Sequence, residues 1–344
     1  MGYEDVVVCP MPNPDDPRLR KVHKKGFLEM LRSASSEEID EWASLYPAWY
    51  LSRFRKMFVL WSPSAKKVRV GVPRLRSHRS DYYSWIRFLP LPRGGYWYLL
   101  TLTLYRSVSL QDAWRNINRW TSKFLHRFRV YLKTKYNAEV SYLWVVEVHR
   151  DGYPHVHILF MMPYIYDLNF YVLLSKFQSY WVDDNGNSLC APQGVDLKYL
   201  GRNVQAVRDY LLKYLVKEHH KYWRVGMIPD GRVVYRKSSA LMWLFRVRLF
   251  GMSQDIRAKL RERESLRQKN SLDYVWYGFV SANRLHKIFY KQFGVSYEEL
   301  IGGLVKHCVL EFSEENLPLL VPSAFGSQGS SLSDGFYDEL MESF

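Results

Sequence analysis

The chain has 344 residues, 47% of them hydrophobic and 16% aromatic, which excludes a largely disordered polymer and leaves room for two or three domains. Lys and Arg number 49 against 34 Asp and Glu, a formal net charge of +15 that favours a polyanion as partner. Cys9, Cys190 and Cys308 lie too far apart for a CxxC zinc site or a disulfide framework, which points to a reducing compartment. The opening residues lack a charged n-region followed by an apolar core, and no apolar run approaches the ~20 residues that span a bilayer, so a soluble, intracellular (cytoplasmic) protein with no membrane partner is expected.

Residues 1–93 form a basic lead-in broken by "PMPNPDDP" and "LPLPRGG". Within it Ser35, with Glu38 three residues on, reads as the capping box of a helix running toward Trp42. From Tyr96, "YWYLLTLTLYR" alternates Leu100, Leu102 and Leu104 with Thr101, Thr103 and Tyr105, a strand with one apolar face. A helix follows, N-capped by Ser109, with Leu110, Trp114, Ile117, Thr121, Phe124, Phe128 and Tyr131 at helical spacing. Next come a hairpin from "VSYLWVVEVH" and "PHVHILFMM", a helix over "LNFYVLLSKFQSYW", a loop holding "DDNGN", a short strand "GVDLKYL" and a helix from about residue 203 to 218.

The order β-α-β-β-α-β-α is that of an α+β, ferredoxin-like unit over residues 94–222: a central antiparallel sheet, helices on one face, and the other face free for a site. Residues 223–308 read as a basic, largely helical region. "GMIPDGRVVYR" makes a turn or hairpin, Ser253 opens a charged helix, and two further helices meet at Gly294 with Ser296 capping the second. Such an αα-hairpin is either a packing unit or a helix-turn-helix. After Lys306 there are seven acids and no Lys or Arg, and 309–344 read as an acidic, disordered tail.

Within "EVHRDGYPHVHILF", Val156, Ile158 and Phe160 fall on one face of a strand and His155, His157 and Leu159 on the other. A two-residue turn at Asp151 and Gly152 would put Val148 opposite His155 and turn Glu147 away. A three-residue turn of Asp151, Gly152 and Tyr153 would pair His149 with His155 and Glu147 with His157. We expect the odd loop, because it keeps Val146 and Val148 with Val156, Ile158 and Phe160. Glu147, His149, His155 and His157 then share the open face, a set that suits a divalent cation with open positions for water or phosphate oxygens. The alternative is ordinary surface histidines on a half-exposed sheet.

"YLLKYLVK" states one unit twice, Tyr210 with Lys213 and Tyr214 with Lys217. The i, i+4 spacing stacks the two phenols on one helix face, beside an apolar stripe of Val204, Val207, Leu211 and Leu215. A phenol with pKa near ~10 becomes a nucleophile only with a base or positive charge nearby, which the lysines and a cation could supply. The alternative is an amphipathic helix with Tyr at its border and Lys in solvent.

Together "YLLTLTL", "EVHRDGYPHVHILF" and "YLLKYLVK" resemble, in order, the three motifs of the HUH-endonuclease superfamily, in particular two-tyrosine rolling-circle replication initiators (Rep proteins) of phages, plasmids and viruses of bacteria and archaea. The resemblance covers roughly residues 96–220. It implies that His155, His157 and Glu147 hold Mg²⁺ or Mn²⁺, with His149 as the alternative third ligand. It also implies that Tyr210 and Tyr214 nick and rejoin single-stranded DNA through a 5′-phosphotyrosine, with Lys213 and Lys217 beside the phosphate, and that Thr101 and Thr103 contact DNA with these lysines. The implied partners are single-stranded DNA at a replication origin, as a hairpin or melted duplex, and a host helicase and polymerase, since no GxxxxGK[ST] stretch is present. The nearest rival is a relaxase or transposase of the same chemistry; a more distant one is a non-catalytic nucleic-acid-binding module.

Overall fold

The structure is a computed structural model that describes residues 5–22, 24–53, 57–71, 89–166, 168–205, 207–209, 225–227, 232–267, 275–293, 309–313, 315 and 320. Its strands, in chain order, are β1 (Val6–Cys9), β2 (Met57–Ser62), β3 (Lys67–Gly71), β4 (Tyr96–Leu102), β5 (Ser141–Val148), β6 (Pro154–Met162), β7 (Val195–Gly201), β8 (Gly226–Met227), β9 (Val233–Arg236), β10 (Phe250–Met252), β11 (Val275–Val280) and β12 (Val309–Ser313). They build three antiparallel sheets, in the orders β1-β9-β8, β10-β5-β6-β4-β7 and β11-β2-β3-β12.

Four strands of the five-stranded sheet are those of the α+β unit expected from the sequence, and the fifth, β10, comes from the region after residue 223 that was expected to be largely helical. Strands β7-β4-β6-β5 stand in the order fourth, first, third, second of that unit, which is what two interleaved right-handed crossings produce. The helices that make the crossings are Leu110–Tyr136 and Phe170–Tyr180. Ser109 caps the first by accepting from the Asp112 N–H, and Asn169 caps the second by accepting from Tyr171 and Val172. Trp114, Ile117, Phe124, Phe128 and Leu132 are buried against Leu100, Leu102, Val146, Val156, Ile158 and Phe160 of the sheet, with Leu173 and Phe177 alongside. Burial of each large side chain contributes about 1.5–3 kcal/mol, so this face anchors the unit.

The opposite sheet face is less open than the sequence suggests. Trp97, Leu99, Leu143, Val145 and Leu159 form a second cluster there, covered by Leu89, Leu91, Val207 and Ile256. The alternation of β4 conceals this, because its second face carries Trp97 and Leu99 before it carries Thr101. Among the described residues, the part left uncovered lies at the Thr101 end and on the outer strand β7, where Asp196 and Lys198 are exposed.

The flanks, expected to be mainly helical, also contribute strands, and N- and C-terminal segments share sheets. β1 pairs with β9, and β2 and β3 pair with β11 and β12. The acidic segment after Lys306 therefore begins inside a sheet: Glu311 of β12 lies opposite Arg69 and accepts its Nε at 2.7 Å. The capping box at Ser35 forms as read, on helix Ser36–Ala43. Strands β8 and β9 realise the hairpin expected near 226–236. Helices Gln254–Arg267 and Ala282–Phe293 fall where their patterns put them. The helix expected after Gly294 and the tail from 321 onward lie outside the described residues.

The hairpin between β5 and β6 differs in register from the expectation. Glu147 pairs with His155 and Val145 with His157, and the last strand pair is Val148 with Pro154. The His149 N–H donates to the Tyr153 carbonyl at 2.8 Å and Gly152 N–H to the His149 carbonyl at 2.9 Å. The odd loop is thus Arg150, Asp151 and Gly152, a turn ended by Gly152 at φ 87°, two positions away from the expected pairing but with the same faces. Gly152 is fixed from several sides. Trp114 Nε1 donates to its carbonyl at 2.9 Å, and a Cβ there would meet Asp5 Oδ1 at 2.7 Å. Asp5, itself buried, accepts from the Ser238 N–H and Oγ at the start of helix Lys237–Leu244. Gly152→Ala is expected to cost about 1–3 kcal/mol from the positive φ alone, read as a lower urea midpoint; an unchanged midpoint would show that the turn is not held as described.

Candidate metal centre

Strand β5 supplies Glu147 and β6 supplies His155 and His157, all directed to the face that bears the second apolar cluster. Glu147 Oε2 lies 2.9 Å from His155 Nε2 and 2.7 Å from His157 Nε2. One ligand atom from each lies within 4.8 Å of the others, so the three could hold a metal ion. Their donor set fits one: ligand atoms ~2.1 Å from a shared cation and at right angles are about 3 Å apart, close to the separations here. Two imidazoles and one carboxylate also leave positions open to further oxygen ligands.

The three side chains are 15%, 15% and 9% exposed. Burial pushes the Glu147 carboxyl up, but hydrogen bonds and charge from His155 and His157 outweigh it and hold the group at about 2. Burial pushes His157 below the ordinary imidazole value, offset in part by Glu147, while Lys198 on β7 adds to the lowering. The resulting pocket keeps an anionic oxygen between two nitrogens, and an imidazole that loses its proton readily, as at His157, is suited to metal ligation.

Thr101 stands directly opposite His157 across β4 and β6, and its Oγ1 is 3.1 Å from His157 Nδ1. That contact orients the ring so that Nε2 is the nitrogen offered to Glu147. The sequence placed Thr101 among DNA contacts; its relation to His157 depends on strand pairing and carried no linear signal. Thr103 Oγ1 donates to the Gly194 carbonyl at 3.0 Å and ties the end of β4 to the turn before β7. His149 stays outside the cluster: its Nδ1 is 3.0 Å from Asp151 Oδ1 and its side chain is 53% exposed. Asp151 also accepts Arg106 Nε at 2.6 Å, so the loop draws His149 away from the ligand set.

Tyr210, Lys213, Tyr214 and Lys217 lie outside the described residues. The segment leading to them is helical at 204, 205 and 207–209, with the Asn203 side chain accepting from the Gln205 N–H and Val207 buried in the second apolar cluster.

Residues 97–219 match the family model described as replication-associated protein ORF2/G2P. The match supports a replication initiator and takes in Glu147, His155, His157 and the YLLKYLVK segment. No curated protein and no solved structure matches the chain. Among the described residues no helix is long and apolar enough to cross a membrane.

Thr101→Val keeps the shape of the residue and removes the hydroxyl. It is expected to weaken Mn²⁺ binding about 10–100-fold, measured by titration calorimetry on the full chain, with little change in thermal stability. Unaltered affinity would show that Thr101 does not orient the ring.

Proposed function

We propose that the protein is a two-tyrosine rolling-circle replication initiator of the HUH-endonuclease superfamily, nicking and rejoining single-stranded DNA at a plasmid or viral origin. The observation that carries the reading is the Glu147, His155 and His157 cluster inside the region that matches a replication-associated family. The nuclease unit is residues 94–222, with 223–308 as the basic region that holds duplex DNA.

Glu147, His155 and His157 would hold Mg²⁺ or Mn²⁺, which would polarise the scissile phosphate and offset charge on its oxygens. Thr101 keeps His157 Nε2 toward Glu147. Tyr210 or Tyr214 attacks phosphorus through its phenolate oxygen. The P–O3′ bond breaks, the 3′ oxygen takes up a proton, and a 5′-phosphotyrosine and a free 3′-OH result. Lys213 and Lys217 stabilise the phenolate and the phosphate. The 3′-OH primes a host polymerase behind a host helicase. The second tyrosine then cleaves at the regenerated origin, and the new 3′-OH attacks the first phosphotyrosine to release the closed strand.

With Mn²⁺ and labelled single-stranded origin oligonucleotides, the protein is expected to form a 5′ adduct that survives denaturation. Tyr210→Phe combined with Tyr214→Phe should abolish the adduct, and His157→Ala should lower nicking by more than about 100-fold, since changes behind a ligand already cost 10–100-fold. Reversible binding without an adduct for the encoding replicon's own origin would replace this reading with a non-catalytic binding module. Full activity of the double Phe variant would remove the proposed nucleophiles.

A further inference from the structure

At the end of the central sheet remote from the histidines lies a cavity of about 450 Å³ lined by Arg93, Gly94, Gly95, Trp97, Arg202 and Arg208 among others, with no Asp or Glu among the described residues of its wall. Among the described residues no carboxylate pairs with any of the three arginines. Three arginines lining one cavity gather positive charge there, which an anion would offset. Two more donors there are unmet: the indole N–H of Trp97, which is fully buried, and Nε of Arg208. Arg208 is anchored by donating from Nη2 to the Leu89 carbonyl at 3.0 Å.

Arg202 links this cavity to a group of tyrosines. Its guanidinium lies 4.3 Å from the centroid of Tyr96 and donates to the Tyr96 hydroxyl at 2.6 Å. Tyr96 packs in turn against Tyr164 and Tyr199, with centroids 5.6 and 5.8 Å away. Tyr164 is 65% exposed and Tyr199 56%. Large aromatic faces left in water beside guanidiniums are what unstacked bases and their phosphates require together. Trp97 shares its face of β4 with Leu99 and Thr101, the face that carries the cluster, whereas Tyr96, Tyr98 and Tyr199 stand on the opposite, helix-covered face, so Arg202 joins the two around the outer edge of the sheet at β7. The centre of the cluster's face is covered, but β7 leaves an exposed strip, with Lys198 between Asp196, which pairs with Thr101, and Arg202.

We propose that this cavity grips single-stranded DNA flanking the scissile phosphate, with the strand turning around the β7 edge onto the tyrosines. Arg93, Arg202 and Arg208 hold backbone phosphates, and Tyr164 and Tyr199 stack bases beyond that edge. Thr101 and Trp97 are about 13 Å apart along β4 at ~3.3 Å per residue. Binding at the cavity therefore fixes which phosphate reaches the cluster. The inference rests on the proposed function for the identity of the strand, but the site stands on its own geometry.

The test measures affinity of the full chain for a fluorescent single-stranded oligonucleotide by anisotropy in EDTA, across a series of salt concentrations. Arg93 and Arg202 are exposed, so Arg93→Ala with Arg202→Ala is expected to keep the fold, checked by circular dichroism. The pair should weaken binding at least 10-fold and flatten the plot of log affinity against log salt by about 1.4, at ~0.7 per phosphate contact for single strands. Tyr164→Ala with Tyr199→Ala should weaken binding by a similar factor without changing the slope. Unchanged affinity and slope in the arginine pair would overturn the grip, even if the wild-type protein nicks DNA. A wild-type protein that nicks nothing, yet loses binding in both pairs, would leave the grip standing and remove the enzyme. Inorganic phosphate that displaces the strand at equal phosphate concentration would show a small-anion site and overturn the strand assignment.

Discussion

The register of one hairpin decides whether Glu147, His155 and His157 come together in a cluster that could hold a metal ion. A shift of one residue between β5 and β6 would turn Glu147 to the helix-covered face and bury a carboxylate among Val156, Ile158 and Phe160. The register is set where the turn ends, at Gly152, whose left-handed conformation closes the loop of Arg150, Asp151 and Gly152. Trp114 from the long helix and Asp5 from the N-terminal segment meet at that glycine, so the packing of distant segments and the positions of the ligands are one constraint.

That arrangement explains why the flanks are interleaved with the central unit. Asp5 is buried, and desolvation raises its carboxyl, opposed by hydrogen bonds from Ser238 and the charge of Arg236. A buried carboxylate is tolerable only with such partners. Asp5 thereby joins β1, the start of helix Lys237–Leu244 and the hairpin tip, and the loop that orients the cluster is braced by residues more than two hundred positions apart.

The sheet divides its two faces between packing and chemistry. One face is given to the aromatic residues of helix Leu110–Tyr136. The other is covered at its centre by Leu89, Val207 and Ile256, and stays accessible at the cluster and along β7. A buried middle between two polar ends keeps water from much of the face while leaving a charged substrate room to approach along an edge, and the low-dielectric wall strengthens the electrostatics of both ends.

The local patterns fixed much of this in advance. Helical spacing from Leu110 to Tyr131, the caps at Ser35 and Ser109, and the alternation of Val156, Ile158 and Phe160 with His155 and His157 are set by backbone geometry and nearest neighbours, so they are legible in one dimension. The sheet order followed from the β-α-β-β-α-β succession because right-handed crossings leave few arrangements. Tertiary structure alone decided what depends on residues far apart. It placed Glu147 opposite His155 and kept His149 with Asp151, it set Thr101 against His157, and it covered the face that alternation left open. It also gathered Arg93, Arg202 and Arg208 around Trp97. In each case the physical reason is the same: pairing register and side-chain convergence are set by packing between segments, which no local period encodes.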